Sequence, residues 1–171
     1  HVTNAHPALP RANLRIVRPG RIVLASGAIE RPVAFGNNDR PGVMLSGATA
    51  AYVNRFGVAP GHQTVLCGGS DSVYADAMAL AGAGIRTTLL DARETAPAEL
   101  AEAAAAAGVE VHPGYVPVEA EGRSAVKSLQ IGRFALDGHV RAERSLSCDC
   151  VGVSGGFTFM LQDKDGVGLD Q

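Results

Sequence analysis

The chain has 171 residues, of which 46% are hydrophobic and 5% aromatic, and a formal net charge of −2. That suffices for one compact domain with a sizeable core, or for one domain and part of a second. No Lys/Arg cluster forms a basic stripe, which argues against nucleic-acid and anionic-membrane partners; no apolar run approaches the roughly 20 residues that cross a bilayer, and no signal peptide is visible.

Residues 1–10 carry Pro7 and Pro10 and read as a loop. Residues 14–17 and 21–25 read as two short strands around a Pro19-Gly20 turn. The apolar run Ile22, Val23, Leu24, Ala25 stops abruptly at Ser26, Gly27 and Ala28. Glu30, Arg31 and Pro32 lead into a loop to Gly42 that holds Asn37, Asn38, Asp39 and Arg40. These polar side chains suit contact with a cofactor or a neighbouring subunit; alternatively, they belong to a solvated connector in which Asn and Asp satisfy turn backbone. Residues 45–56 place Leu45, Ala48, Tyr52 and Phe56 at helical spacing, and Gly57 lies just past the end.

A βα alternation follows. Residues 63–67 read as a strand, 68–71 as a turn, 72–83 as an alanine-rich helix and 86–90 as a second strand ending at Asp91. Residues 97–107 form a helix of near-ideal propensity closed by Gly108, and 109–112 a third strand. Short strands with helices between them argue for parallel pairing and right-handed crossovers. The period then changes. Residues 115–119, 126–136 and 140–147 read as strands, with Asp137-Gly138 a hairpin signal between the last two. Residues 149–154 followed by Gly155-Gly156 repeat the strand-then-glycine design of residues 22–27. The fold class is therefore α/β: a Rossmann-like βαβαβ unit plus an antiparallel β-meander, with flanking strands.

The turn Gly68-Gly69-Ser70-Asp71-Ser72-Val73 stands where a dinucleotide fingerprint would. That fingerprint needs glycines for the tight turn, for approach of pyrophosphate and for helix–strand packing. Counting from Gly68, Ser70 and Val73 hold the second and third positions. Asp71 begins the helix, so its carboxylate is expected to satisfy the helix's own N–H groups and to repel a pyrophosphate there. Asp91 lies where an acid would hold a ribose hydroxyl; it could equally open the next turn or pair with Arg93. Gly152-Val153-Ser154-Gly155-Gly156 fits Gly-x-Ser-x-Gly, but no histidine follows it, so it is not a nucleophile elbow. The five histidines have no metal-ligand spacing. Cys67 reads as a small buried hydrophobe. Cys148 and Cys150 would share a face of a strand. No Cys-x-x-Cys pair exists, which excludes dithiol redox chemistry, and a reducing cytoplasm fits these thiols.

Residues 21–91 and 148–156 resemble the alpha subunit of heterotetrameric sarcosine oxidase, in the superfamily of flavoproteins with two dinucleotide-binding domains. Ala25-Ser26-Gly27 matches that superfamily's Ala-Thr-Gly strand end, and keeps its hydroxyl and its glycine. The resemblance implies an outer FAD/NAD-binding domain over residues 1–60 and 149–171 and an inserted Rossmann-like domain over 61–148. It implies that residues 22–25 and 151–154 lie side by side, and that the chain is a piece of a longer protein whose first glycine fingerprint lies upstream. Ser26, Gly27, Ala28, Gly155 and Gly156 would line a bound NAD, and Gly68, Gly69 and Asp91 would be the inner nucleotide elements. The parent would oxidise sarcosine to glycine, formaldehyde and peroxide, with FAD and FMN in the complex and beta, gamma and delta subunits as partners. This segment holds no nucleophile–base pair, metal set or flavin fingerprint, and is expected to be catalytically silent. Two alternatives stay open: an NAD(P)H-dependent reductase domain with a live inner site, and a Rossmann scaffold kept for subunit assembly. Residues 157–171 do not follow the family pattern.

Overall fold

The computed structural model describes residues 28–134 and 139–158, with residues 2–3, 12–13, 16, 18–21 and 23. In chain order the elements are β1 (Val2–Thr3), β2 (Ala12–Asn13), β3 (Ile29–Glu30), β4 (Val43–Leu45), α1 (Ser46–Phe56), β5 (Gln63–Gly68), α2 (Ser72–Gly82), β6 (Arg86–Asp91), α3 (Ala98–Ala106), β7 (Glu110–Pro113), β8 (Val116–Glu121), β9 (Ser128–Phe134), β10 (Val140–Ser147), β11 (Cys150–Ser154) and β12 (Phe157–Thr158).

Strands β4, β11, β5, β6 and β7 form one parallel sheet in that order. Strands β10, β9 and β8 form an antiparallel meander. Two antiparallel ribbons pair β1 with β2 and β3 with β12, and a single parallel bridge joins Gly36 to Glu119. The parallel strands read as continuous apolar runs because both faces of the sheet are covered. Successive side chains of a strand point to opposite faces, and β5 shows the split: Leu66 packs with Val73, Tyr74 and Leu80 of α2, while Val65 and Cys67 pack with Leu129 and Ile131 of the meander. The result is three layers, with helices on one face of the sheet and the meander on the other. This is the α/β architecture expected from the sequence.

Gly152 of β11 sits on the helical face. A β-carbon there would lie 2.4 Å from Leu66 Cδ2 and 3.3 Å from Ser46 Cα, so its bare backbone is what lets α1 lie close on the sheet. At the end of α1, Gly57 takes the left-handed conformation (φ 63°) and donates to the Tyr52 and Val53 carbonyls, as a helix-ending glycine does.

Strand β11 runs between β4 and β5, paired with both. The boundaries expected after residues 60 and 148 thus both fall within the span of one sheet. The ribbon seen beside it pairs Ile29 and Glu30 with Thr158 and Phe157. Of the expected strand over 21–25, Arg21 and Val23 are described, in no strand and with Val23 exposed, while residues 22, 24 and 25, the hairpin residues 137–138, the tail from 159 and most of residues 14–17 lie outside the described residues. The loop before β4 is fastened to the meander: Asn37, with φ 55°, donates through Nδ2 to Glu119 Oε1 at 2.8 Å and to the Ala120 carbonyl at 3.1 Å. Arg40 donates to the carbonyl of Gly122. Its polar side chains thus serve an intramolecular clasp between the entry loop and β8.

Candidate functional site

The turn after β5 lies at the carboxyl end of the sheet, where ligands collect in open α/β folds. Gly68 is required there. A β-carbon would meet Val73 Cγ2 at 2.6 Å and the Ser154 carbonyl at 3.1 Å. Val73, fully buried at the third fingerprint position, fills the space that a glycine would have left. Gly69 is open, with only Ala92 Cβ within 4 Å of an added β-carbon. Ser70, at the position where pyrophosphate needs bare backbone, joins its hydroxyl to that of Ser72 at 2.9 Å.

Asp71 does not fill the anion position. It precedes α2 in helical conformation (φ −65°, ψ −26°), and its side chain makes no capping hydrogen bond. Its Oδ1 instead accepts from Arg93 at 2.8 Å. The expected cap fails because a cap needs extended backbone at that residue, and because a cation sits beside it. The same guanidinium holds Asp91: Arg93 Nε donates to Oδ1 at 3.0 Å, the second terminal nitrogen to Oδ2 at 2.9 Å, and the Arg93 backbone N–H to Oδ1 at 3.0 Å. Tyr74 adds its hydroxyl to Oδ2 at 2.6 Å. Asp91 is 1% exposed. Burial pushes its carboxyl up, but the hydrogen bonds from Arg93 and Tyr74 outweigh this and hold it below the usual carboxylate range. Burial and the Asp91 carboxylate together raise the Tyr74 phenol. The carboxylate accepts four donors from its own chain, so a ribose hydroxyl would have to displace one of them. Of the two roles open to Asp91, pairing with Arg93 is the one seen; Tyr74, 17 residues before Asp91, could not be found from spacing.

Ser154, Gly155 and Gly156 continue from β11. Gly155 donates to the Arg31 carbonyl at 2.7 Å, and Arg31 donates to the Gly156 carbonyl at 2.9 Å. A β-carbon on Gly155 would lie 3.2 Å from the carbonyls of both Arg31 and Pro32, so these glycines bring the two connecting segments together. Ala28 is exposed at the start of this connection; Ser26 and Gly27 lie outside the described residues. Gly68, Gly69, Gly155 and Gly156 border one cavity of about 440 Å³, together with Val33, Tyr115 and Pro117. Ser154 lines it too, and its buried hydroxyl oxygen has no hydrogen-bond partner. Beneath the ribbon, Glu30 Oε2 accepts the Gly47 N–H at 3.0 Å, placing a carboxylate on the positive end of α1.

The three cysteines are free and buried. Burial pushes the Cys148 thiol up to about 12 and the Cys150 thiol to about 11, and raises Cys67 further, so none is a thiolate nucleophile. Among the described residues no group of His, Cys, Asp and Glu could hold a metal, and no helix is long and apolar enough to cross a membrane.

No family model matches the sequence. Over 143 residues, 82% of this chain, it is 38% identical to a protein named sarcosine oxidase subunit alpha from Corynebacterium sp. (strain P-1), and 36% identical to its namesake from strain U-96. Over 97 residues it is 43% identical to the sarcosine oxidase subunit alpha of Rhizobium meliloti (strain 1021). The chain spans 15%, 15% and 10% of the lengths of these relatives. Among solved structures, the thioredoxin reductase of T. acidophilum superposes with a TM-score of 0.60 at 12% identity, covering 77% of this chain and 42% of that one. A ferredoxin reductase of Rhodopseudomonas palustris gives 0.56 at 18%, covering 78% and 33%. At these identities the likeness is one of fold.

Proposed function

This chain is a homologue of sarcosine oxidase alpha subunits with the fold of FAD/NAD-binding reductases, and from that premise we propose that it is a non-catalytic scaffold segment of a sarcosine-oxidising flavoenzyme complex in the cytoplasm. In this reading the parent oxidises an N-methyl amine with flavin, FAD and FMN belong to the complex, NAD belongs to the outer domain, and beta, gamma and delta subunits are the partners. The unit that does the scaffolding runs from β4 to β11, since one sheet contains both strands.

The observation that carries the proposal is the saturated Asp91. A dinucleotide does not fit the inner site as built: its ribose acid is held by Tyr74 and Arg93, and its second glycine is Ser70. No step of the parent's chemistry therefore runs through Asp91, Ser70 or Asp71. Asp71 and Asp91 join the turn before α2 to the end of β6 through one guanidinium, and Ser70 bonds Ser72 within the turn. The glycines at 155 and 156 work likewise, packing the exit of the sheet on its entry.

Calorimetry with NAD and NADP tests this. The chain should bind both more weakly than about 10 μM, the equivalent of about −7 kcal/mol. Tighter binding of either, weakened by Asp91→Asn, overturns the proposal in favour of a live inner site. That second reading has one observation of its own, the unpartnered Ser154 hydroxyl on the 440 Å³ cavity. Under it, Ser154→Ala would weaken the ligand while leaving stability unchanged.

A further inference from the structure

At the amino ends of β5 and β6, away from the glycine turn, the fold leaves apolar surface in water. Of the six large apolar side chains exposed among the described residues, three stand at this end: Tyr52 is 45%, Phe56 63% and Val58 50% exposed. Tyr52 and Phe56 are about one turn apart on α1 and so share a face. Their rings meet edge to face, with centroids 6.2 Å apart. The chain that follows is tied to the helix end: Gly57 donates to the Val53 carbonyl at 3.1 Å, and Val58 to the Tyr52 carbonyl at 3.0 Å.

A groove adjoins these side chains. A cavity of about 200 Å³ opens between the end of α1 and the turn from α2 into β6, walled by Val53, Gly57, Val58, Ala59, Ala83 and Ile85. None of these residues has a polar side chain. The space is smaller than the about 300–1,000 Å³ of small-molecule sites, and it suits one aliphatic side chain projected by another polypeptide.

Charge decides what kind of polypeptide. Residues 50–63 and 77–90, which frame the groove, hold exposed Arg55, His62 and Arg86 and no Asp or Glu. Among the described residues, neither Arg55 nor Arg86 forms an ion pair with a carboxylate. The guanidinium carbon of Arg55 lies 5.6 Å from the Phe56 ring centroid, and Arg86 reaches the Gln63 side-chain oxygen at 3.4 Å. The Asp149 carboxylate, also at this end of the sheet, is held by the His62 and Gln63 N–H groups. A second copy would bring the same cations to a two-fold contact, where like charges repel. The apolar area is also small for a dimer. Three half-exposed side chains present on the order of 300 Å², against about 800 Å² per partner in a standard interface. A short segment that carries carboxylates meets both limits.

We propose that this face docks an amphipathic helix of a partner protein, apolar on one side and acidic on its flanks. One aliphatic side chain enters the groove, its neighbours cover Tyr52 and Phe56, and its carboxylates meet Arg55 and Arg86. Helices bind such grooves through anchors one turn apart, and a receptor surface fixed by its own hydrogen bonds loses little freedom on binding. The face is remote from the glycine turn along the strands, so the inference stands whether or not that turn takes a dinucleotide.

The test is fluorescence anisotropy with the full 171-residue chain and two labelled, capped peptides of about 15 residues. Both carry leucines on one helical face; one has glutamates on its flanks and the other lysines. The acidic peptide should bind saturably below about 100 μM, and the basic one at least about tenfold more weakly. Phe56→Ser should weaken the acidic peptide by about tenfold or more and leave the melting temperature unchanged, since the ring is exposed. Arg55→Glu should weaken the acidic peptide and strengthen the basic one, which loss of folding could not do. Arg133→Glu, on the meander, should alter neither. Equal binding of the two peptides, no saturable binding, or binding indifferent to Phe56→Ser overturns the proposal. A dimer in sedimentation that Phe56→Ser disperses also overturns it, and gives the face to a second copy.

Discussion

The Tyr74 hydroxyl donates to Asp91 Oδ2 at 2.6 Å, and each residue is only 1% exposed. The bond reaches from α2 to the end of β6, and with Arg93 it makes the turn after β5 a closed electrostatic unit.

Removal of that hydroxyl leaves a buried carboxylate one donor short. Hydrogen bonds to charged groups contribute about 1.5–3 kcal/mol net. Tyr74→Phe should therefore lose stability in about that range in urea unfolding, with an unchanged slope. An unchanged midpoint would show that Arg93 alone satisfies Asp91.

Asp149 should govern acid stability with Asp91. Its carboxylate accepts the backbone N–H groups of His62, at 2.9 and 3.0 Å, and of Gln63, at 2.9 Å, fastening the start of β5 to the start of β11. Burial raises its carboxyl, but these backbone bonds prevail and depress it. A depressed carboxyl contributes stability that is fully present above its unfolded value, about 3.9, and is lost as pH falls through its lower folded value. Asp149→Asn should lower stability at pH 7 and flatten its decline below about pH 4. An acid-unfolding curve of the same shape in parent and variant would refute this.

Gly152→Ala tests the close approach of α1. The added carbon would crowd Leu66 Cδ2 and Ser46 Cα, and overpacking of this kind costs about 1–3 kcal/mol. Leu66→Val in the same chain should return part of the loss, since residues in contact are not additive. If the double variant shows simple additivity, the crowding lies elsewhere.

The cysteines should be silent while the chain is folded. Their thiols are buried and raised, so a thiol reagent at pH 8 should modify none before denaturation and all three after it. Rapid labelling of a single cysteine in native protein would reveal an opening near β5 or β11.

The local elements were legible because each carries its own period or punctuation. Gly57 and Gly108 mark helix ends, and the apolar runs at 64–67 and 87–90 mark strands buried on both faces. The resemblance to sarcosine oxidase alpha subunits was legible from residues 21–61, and relatives at 36–43% identity agree with it. Strand order was not legible: nothing local to residues 150–154 says that they run between β4 and β5. The direction of Asp71 was missed for a related reason. Its partner Arg93 is 22 residues away, and only the parallel pairing of β5 with β6 brings the two ends together.

The position of β11 has a consequence for biosynthesis. Of the strands of the parallel sheet, the last to leave the ribosome is a central one, and until Ser154 emerges β4 and β5 have no neighbour between them. A nascent chain that has reached Ser147 carries three helices and the meander ready to pack, yet presents a strand-wide slot edged by unpaired backbone of Val43–Leu45 and Gln63–Gly68. Such edges recruit foreign strands. Closure of the slot waits for the last strand of the sheet, by contacts distant in sequence, so this unit can complete its sheet only once all of its strands have been made, and its partly made form is a natural client for a chaperone.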